Sequence, residues 1–378
     1  MSDTTKGRVS RRHVVAAVAA TAVAACDQVA QPGAKGAGGP AIVRSKRSLK
    51  LVTTWPPNYP GLGSMPLRVA KRVEEATDGD VVIKVYGAGE LVPALESFDA
   101  VSSGAADMYH GAEYYWQGKS KGYNFFTAVP FGMNAAELNA WIYHMGGQQL
   151  WDELSAKFGI KPLLCGNTGV QMGGWFNREI NTLDDLKGLK MRMPGLGGEV
   201  LSRLGASTVT LPGGEIFQAL QSGTIDATEW VGPWNDLAFG FYRVAKYYYW
   251  PGFHEPGSGL ALGVNMNVWR SLTKSQQAIL ATACMAEDDF SLAEYNAENA
   301  RALRTLIEQH GVQFKRFSDE VFRALGKVSA DVVRQAGETD ALTKRIYESF
   351  KASMKDTAKW TTISEEGYAA ARHLAEEG

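Results

Sequence analysis

Three cysteines in 378 residues, with no Cys-x-x-Cys and no histidine pair at metal-binding spacing, leave zinc without a recognisable site. The six histidines, at 13, 110, 144, 254, 310 and 373, are scattered. There is no G-x-S-x-G elbow, no Walker sequence and no complete G-x-G-x-x-G. The "GLGG" at 195–198 is too short a glycine run for a phosphate cradle. Excess charge is missing as well. The 39 basic and 40 acidic residues leave a formal net charge of -1, which excludes the electrostatic footprint of a nucleic-acid or anionic-membrane binder. No segment beyond the N-terminal leader reaches the roughly 18 consecutive apolar residues of a spanning helix. What remains, 45% hydrophobic and 21% charged residues, is ordinary globular composition over a length that suits about two domains. The expected partner is a small molecule or another protein.

The leader reads "VSRRHVVAAVAATAVAAC". Arg11 and Arg12 precede an uncharged Ala/Val run from Val14 to Ala25 that is too short to anchor in a bilayer. Residues 1–26 therefore read as a twin-arginine export signal, which places the mature chain in the periplasm. "VAAC" offers Cys26 as a lipid anchor, with plain cleavage as the alternative. Residues 27–47, rich in Gly, Ala and Pro, read as a flexible tether, and folding is expected to start near Ser48. An oxidising compartment would allow Cys165 and Cys284 to pair, but two buried thiols fit the sequence equally well.

From Leu49 short apolar runs alternate with amphipathic stretches. "LKLVTTW" reads as a strand and residues 65–79 as a helix, with Leu67, Ala70 and Val73 on its apolar face. "DVVIKVYGAGEL" reads as a second strand, followed by a helix opened by Pro93. This βαβα order predicts an α/β protein with largely parallel strands and helices on the sheet faces. The pattern then repeats. "ESFDAVSSGAAD" (96–107) aligns without gaps on "EIFQALQSGTID" (215–226), sharing Glu, Phe, Ala, Ser, Gly and Asp. Two related α/β lobes follow, with 107–113 and 226–234 expected to line a common cleft beyond the strand ends. After residue 273 the composition becomes helical to the terminus. The stretch from 273 to 311 is long enough to be broken or to extend past the lobes, and turns are expected near Gly337 and Thr361.

Within this frame a few residues stand out. Arg192 ends the strand in "GLKMRMPG", where alternation puts Leu189, Met191 and Met193 on one side and Lys190 and Arg192 on the other. An arginine there can grip a carboxylate through two parallel hydrogen bonds; a surface salt bridge would leave the same pattern. Glu229, in "TIDATEWVGPWND", stands among tryptophans, and Glu255 sits in the "HEPGSG" turn. With Gln171 they offer oxygen ligands suited to a hard cation, unless all three are merely exposed loop residues. Aromatics concentrate at predicted strand ends: Trp55, Tyr59, Tyr114, Tyr115, Trp116, Trp175, Trp230 and Trp234. Most aromatics of this kind serve a core or an interface.

"LKGLKMRMPG" followed by "LGASTVTLPGGEIFQALQSGTIDATEWVGPWND" resembles the extracytoplasmic solute receptors of tripartite ATP-independent periplasmic (TRAP) transporters. The resemblance runs from about Ser48 to residue 350, and it is nearest to the branch that binds 2-oxo acids such as pyruvate. It implies a two-lobed periplasmic-binding-protein-like α/β fold with mixed sheets, a hinge and a ligand cleft, plus a long C-terminal helical region. The first lobe would span 48–170 and be completed by part of 260–310, the second 171–259, and the helical region 273–378. It also implies that Arg192 clamps the substrate carboxylate, that Tyr115 donates a hydroxyl to the substrate, and that Gln171, Trp175 and Asn235 help to enclose it. Gln171, Glu229, the Trp230 carbonyl and Glu255 would hold a metal cation, sodium by preference and calcium second, that bridges protein and substrate. The implied partners are TRAP membrane permease subunits and a second copy joined through the C-terminal helices, with no nucleic acid and no catalysis. Two readings stand beside it: a receptor for a hydroxy acid such as lactate with calcium, and an exported metal-dependent enzyme using Glu229 or Glu255 as a base.

Overall fold

The computed structural model describes residues 46–376. The expected export signal, Cys26 and the tether up to residue 45 lie outside them. The first strand begins at Arg47, close to the expected start near Ser48. The strands are β1 (Arg47–Thr53), β2 (Val81–Tyr86), β3 (Met108–Gly111), β4 (Ile160–Asn167), β5 (Gly174–Phe176), β6 (Lys190–Arg192), β7 (Ser207–Val209), β8 (Ala227–Thr228), β9 (Tyr247–Trp250), β10 (Gly259–Asn265) and β11 (Gln313–Arg316).

They form two sheets, ordered β2-β1-β3-β10-β4 and β11-β9-β5-β8-β6-β7. Neither is purely parallel. In the first, β1 runs parallel to β2 and β3 while β10 runs antiparallel to β3 and β4. In the second, β6 is parallel to β7 and β8 and β9 to β11, whereas β5 is antiparallel to both neighbours. The antiparallel strands are those reached by chain crossing from one sheet to the other. After β4 the chain leaves the first sheet for β5, and after β9 it returns as β10. The two crossing segments are tied to each other: the Gln171 amide donates to the Glu255 carbonyl at 3.0 Å, Gly252 to the Gln171 carbonyl at 2.8 Å, and Thr168 to the Ser258 carbonyl at 3.2 Å.

The repeat is visible atom by atom. Helices Ser97–Ser103 and Gly213–Gln221 each end near a left-handed glycine, Gly104 (φ 84°) and Gly223 (φ 72°), a turn that a β-carbon would strain. In the first lobe the Asp107 amide donates to the Lys50 carbonyl (3.0 Å) and the Lys50 amide to the Asp107 carboxylate (2.7 Å). In the second, Asp226 and Lys190 make the same two bonds at 2.7 and 3.0 Å. Each aspartate thereby pins its parallel strand pair, β1/β3 or β6/β8, in register.

Several local expectations change. Helix Ser64–Ala76 buries Met65, Pro66, Val69, Ala70 and Val73, whereas Leu67 faces solvent, because the buried positions follow a 3.6-residue stripe to which Leu67 does not belong. Helix Lys274–Glu308 is unbroken. Its Thr273 capping box starts it, and β4, helix Ser64–Ala76 and helix Pro233–Phe239 support it along its length, so it needs no internal turn. β11 adds an edge strand to the second sheet in a region read as wholly helical. No turn occurs at Thr361: a π-helical stretch, Thr362–Glu366, carries helix Ala341–Thr361 into Gly367–Glu376. The helical region serves both lobes. Val321, Leu325, Val332 and Ala336 join the core around Met191 and Met193, while Leu342, Ile346 and Phe350 join the core around Phe126 and Trp141. Cys165 and Cys284 are free thiols buried in one apolar cluster, where burial and mutual proximity push the Cys165 thiol up.

Candidate ligand and cation site at the hinge

The end of β6 and the end of β8 lie side by side, since Arg192 pairs with Thr228 and the Glu229 amide donates to the Arg192 carbonyl at 3.2 Å. That register brings both side chains to the carboxyl edge of the second sheet, where open α/β sheets place their ligands. Met191 and its neighbours Leu189 and Met193 pack into the core as alternation requires, and Lys190 stays exposed. Arg192 is nonetheless 1% exposed and Glu229 is fully buried.

The guanidinium is held from several sides. Nη1 is ion-paired with Glu229 Oε1, Nε donates to the Leu211 carbonyl at 3.2 Å, and Nη2 donates to the Tyr115 hydroxyl at 3.3 Å across the cleft. The Trp230 ring lies 5.1 Å from the guanidinium carbon. Burial works against the charge of Arg192, but Glu229, Tyr115 and Tyr114 outweigh it and its pKa is raised. The second Glu229 oxygen meets His254 Nε2 at 3.2 Å. Burial alone would discharge that imidazole; Glu229 and Glu255 reverse the effect and favour its protonated form.

Gln171 and Glu255 come from the two crossing segments. Gln171 Nε2 donates to Glu255 Oε2 at 2.8 Å and to Thr168 Oγ1 at 3.1 Å, while its Oε1 is buried without a hydrogen-bond partner. Burial first, then the negative charge of Glu229, raises the Glu255 carboxyl above the carboxylate range, with His254, Ser258 and Tyr114 pulling it back. Single ligand atoms of Glu229, His254 and Glu255 lie within 4.8 Å of one another. Two carboxylates and an orphaned amide oxygen make an oxygen-rich donor set that suits sodium or calcium, so the residues fit a hard cation.

The structure thus brings Arg192, Tyr115, Gln171, Glu229, Trp230 and Glu255 to one place. Trp55, Tyr114, Tyr115, Thr168, Gln171 and Trp230 close around a void of about 10 Å³, space for about one water. Trp175 and Asn235 lie behind this wall. The Trp175 indole donates to Asp236 at 2.9 Å and stacks on Tyr248, with ring centroids 4.0 Å apart. Asn235 donates to the Pro60 carbonyl at 2.9 Å and accepts from Tyr295 at 2.7 Å, tying helix Pro233–Phe239 to the first lobe and to the long helix. Their polar atoms serve packing inside the protein. His254 was missed by the sequence reading; its place directly before Glu255 was the available signal. Asp107 immediately precedes β3 and its carboxylate serves the Lys50 amide, so the first-lobe wall is formed further on by Tyr114 and Tyr115.

Two lobes joined by paired crossing strands, with a buried arginine and carboxylates at the junction, define a hinged solute receptor. The family comparison gives the same answer: residues 51–340 match the model of DctP, bacterial extracellular solute-binding protein family 7, and the chain belongs to this family. It is 42% identical over 352 residues to a monocarboxylate 2-oxoacid-binding periplasmic protein of Nostoc sp., covering 93% of this chain and 94% of that protein. It is similar to a TRAP transporter solute-binding protein of Bordetella bronchiseptica, crystallised as a mixed-occupancy dimer with calcium and picolinate in one active site (38% identity, TM-score 0.86, 88% of this chain and 98% of that one). It is also similar to a TRAP periplasmic solute-binding protein of Pseudoalteromonas atlantica with bound sodium and pyruvate (40%, TM-score 0.83, 86% and 99%). These proteins are receptors, and this chain is a receptor rather than an enzyme.

Proposed function

We propose that the protein is the periplasmic receptor of a TRAP transporter for 2-oxo monocarboxylates, pyruvate and longer homologues, and that it delivers them to the membrane permease. The observation that carries this reading is the convergence of buried Arg192 with Glu229, Glu255 and the unpartnered Gln171 oxygen at the hinge. The Nostoc relative and the pyruvate-bound structure support the substrate class.

Arg192 supplies the positive fork for the ligand carboxylate, and Tyr115 offers its hydroxyl from the opposite lobe. Gln171, Glu229, the Trp230 carbonyl and Glu255 would hold the cation, which when bound supplies a positive centre for ligand oxygens. Trp55, Leu62 and Leu260 give the acid's tail an apolar wall. Because Arg192 and Glu229 come from one lobe, Tyr115 from the other, and Gln171 and Glu255 from the crossing strands, a ligand touching all of them favours the closed form through its added contacts. The lobes that close are 48–170 with part of 260–310, and 171–259. Trp360, Ile363, Tyr368 and Leu374, each at least 67% exposed on the last helical stretch, support a homodimer built through the C-terminal helices.

The test is calorimetric titration of refolded mature protein with pyruvate, longer 2-oxo acids and lactate, in sodium, calcium and chelated buffers. Cation-dependent binding of 2-oxo acids is expected. Preference for lactate with calcium moves the assignment to hydroxy acids, and silence with every acid overturns it.

A further inference from the structure

We propose that Glu113 and Asp236 are positioning residues, one in each lobe, that fix the two loops facing each other across the cleft. One loop is the turn Glu113–Trp116, which bears Tyr114 and Tyr115; the other runs from Glu229 to Gly232. The ligand-binding arm of the test below rests on the oxo-acid reading, and the exchange arm does not.

Both carboxyls are fully buried, and neither is paired with a basic side chain among the described residues. Each is instead gripped by one phenol and one indole. In the first lobe Glu113 Oε1 accepts from the Tyr109 hydroxyl and Oε2 from Trp151 Nε1 at 2.7 Å, while the Glu113 amide donates to Thr127 Oγ1 at 2.8 Å. In the second, Asp236 Oδ2 accepts from the Tyr248 hydroxyl at 2.7 Å and from Trp175 Nε1 at 2.9 Å, and Oδ1 accepts the Val231 amide at 3.2 Å.

The donors are themselves immobilised. Tyr109 lies over Gly263 of β10, where a β-carbon would come within 2.1 Å of its ring, and Trp151 stacks on Phe126 at 5.0 Å. Trp175 and Tyr248 are register partners on β5 and β9 and stack face to face. Each acid therefore joins a rigid sheet or helix to a loop whose own residues make the site.

Stability alone does not explain the choice. A buried carboxyl without a cation is expensive, and an apolar side chain of similar size commonly serves a core as well or better. What the carboxylate adds is two acceptor atoms at fixed directions, which define where the loop backbone sits. An amide in its place can accept at only one of the two, so one donor loses its acceptor.

Glu113→Gln and Asp236→Asn test this, each read by hydrogen exchange of the unliganded protein and by pyruvate titration. Expected are at least tenfold faster exchange confined to residues 113–116 in the first variant and to 229–232 in the second, and at least tenfold weaker pyruvate binding in both. Faster exchange spread evenly over the lobe, or unchanged loops and unchanged affinity, overturns the proposal. If either variant fails to fold, Tyr109→Phe and Tyr248→Phe, which each remove one donor, carry the same two readouts. If wild-type protein binds no acid with any cation, the functional reading fails and the exchange result alone decides this inference.

Discussion

The two lobes use one helix-turn-strand unit for opposite purposes. The alignment that equates Asp107 with Asp226 equates His110 with Glu229. In the first lobe His110 is turned inward, accepting from the Trp55 indole at 2.8 Å and meeting the Cys165 carbonyl at 3.0 Å. In the second lobe Glu229 occupies the corresponding place and is paired with Arg192 and His254. The shared unit fixes strand register, and the residue just beyond it differs: His110 is tied to Trp55 and Cys165, whereas Glu229 is tied to the charged groups of Arg192 and His254. At the junction Arg192, Glu229, His254 and Glu255 come from the second lobe and the crossing segments, and the first lobe contributes the rings of Trp55, Tyr114 and Tyr115.

This asymmetry can be broken in graded steps. Arg192→Ala should be the most damaging change, because it removes the proposed cationic anchor of the ligand and leaves Glu229 buried without its strongest partner. Breaking such a buried pair costs about 3–5 kcal/mol of stability, so the Tm should drop, and loss of the proposed carboxylate contact should lower pyruvate affinity by calorimetry at least about a hundredfold. A Tyr115 change of comparable size would invert the comparison.

The pH dependence is the next step. Burial pushes Glu113 up to about 7 and Asp236 up to about 7, in each case against the hydrogen bonds from tyrosine and tryptophan. A carboxyl whose folded pKa is raised binds its proton more tightly in the folded state, so its stabilising contribution is present at low pH and lost as pH rises through the folded value. The unfolding free energy from urea titration should therefore fall between about pH 5 and pH 7, by at most about 1.4 kcal/mol per pH unit for each group. Glu113→Gln should flatten the first lobe's share of that slope; an unchanged slope would mean that the carboxyl is ionised throughout.

Smaller effects test the symmetry itself. Asp107→Asn and Asp226→Asn each weaken one backbone-to-carboxylate bond at equivalent positions, and each should cost about 1 kcal/mol in urea unfolding. A large difference between them would show that the repeat is not energetically equivalent. Tyr115→Phe, which deletes the 3.3 Å contact with Arg192, should weaken pyruvate binding by up to about tenfold while leaving stability nearly unchanged.

How much was legible in the sequence follows from how local each signal is. Strand alternation and the proline stop put Arg192 at a strand end but left both a surface salt bridge and a carboxylate grip open, and only the resemblance gave it a role; the repeat was readable from aligned residues, because it is a local pattern. Gln171, Glu229 and Glu255 stood out in the sequence as oxygen donors or exposed loop residues, the resemblance added Trp230 and the cation-binding role, and the structure places all four together at the junction. Trp175 and Asn235 came from the same resemblance, but their polar atoms are consumed by Asp236, Pro60 and Tyr295, contacts between segments far apart in sequence. β11 was hidden because Gln313–Arg316 has no alternation of its own and pairs only at the edge, with β9. The continuity of Lys274–Glu308 depends on packing against both lobes, which no window of sequence contains.

The central claim is that charged recognition belongs to the second lobe and the hinge. A crystal structure of the protein grown with sodium and pyruvate tests it most directly. The account predicts the pyruvate carboxylate on Arg192, with sodium held by Gln171, Glu229, Trp230 and Glu255, and Tyr115 closing from the first lobe. Pyruvate bound away from Arg192 with the Arg192–Glu229 pair intact would contradict it.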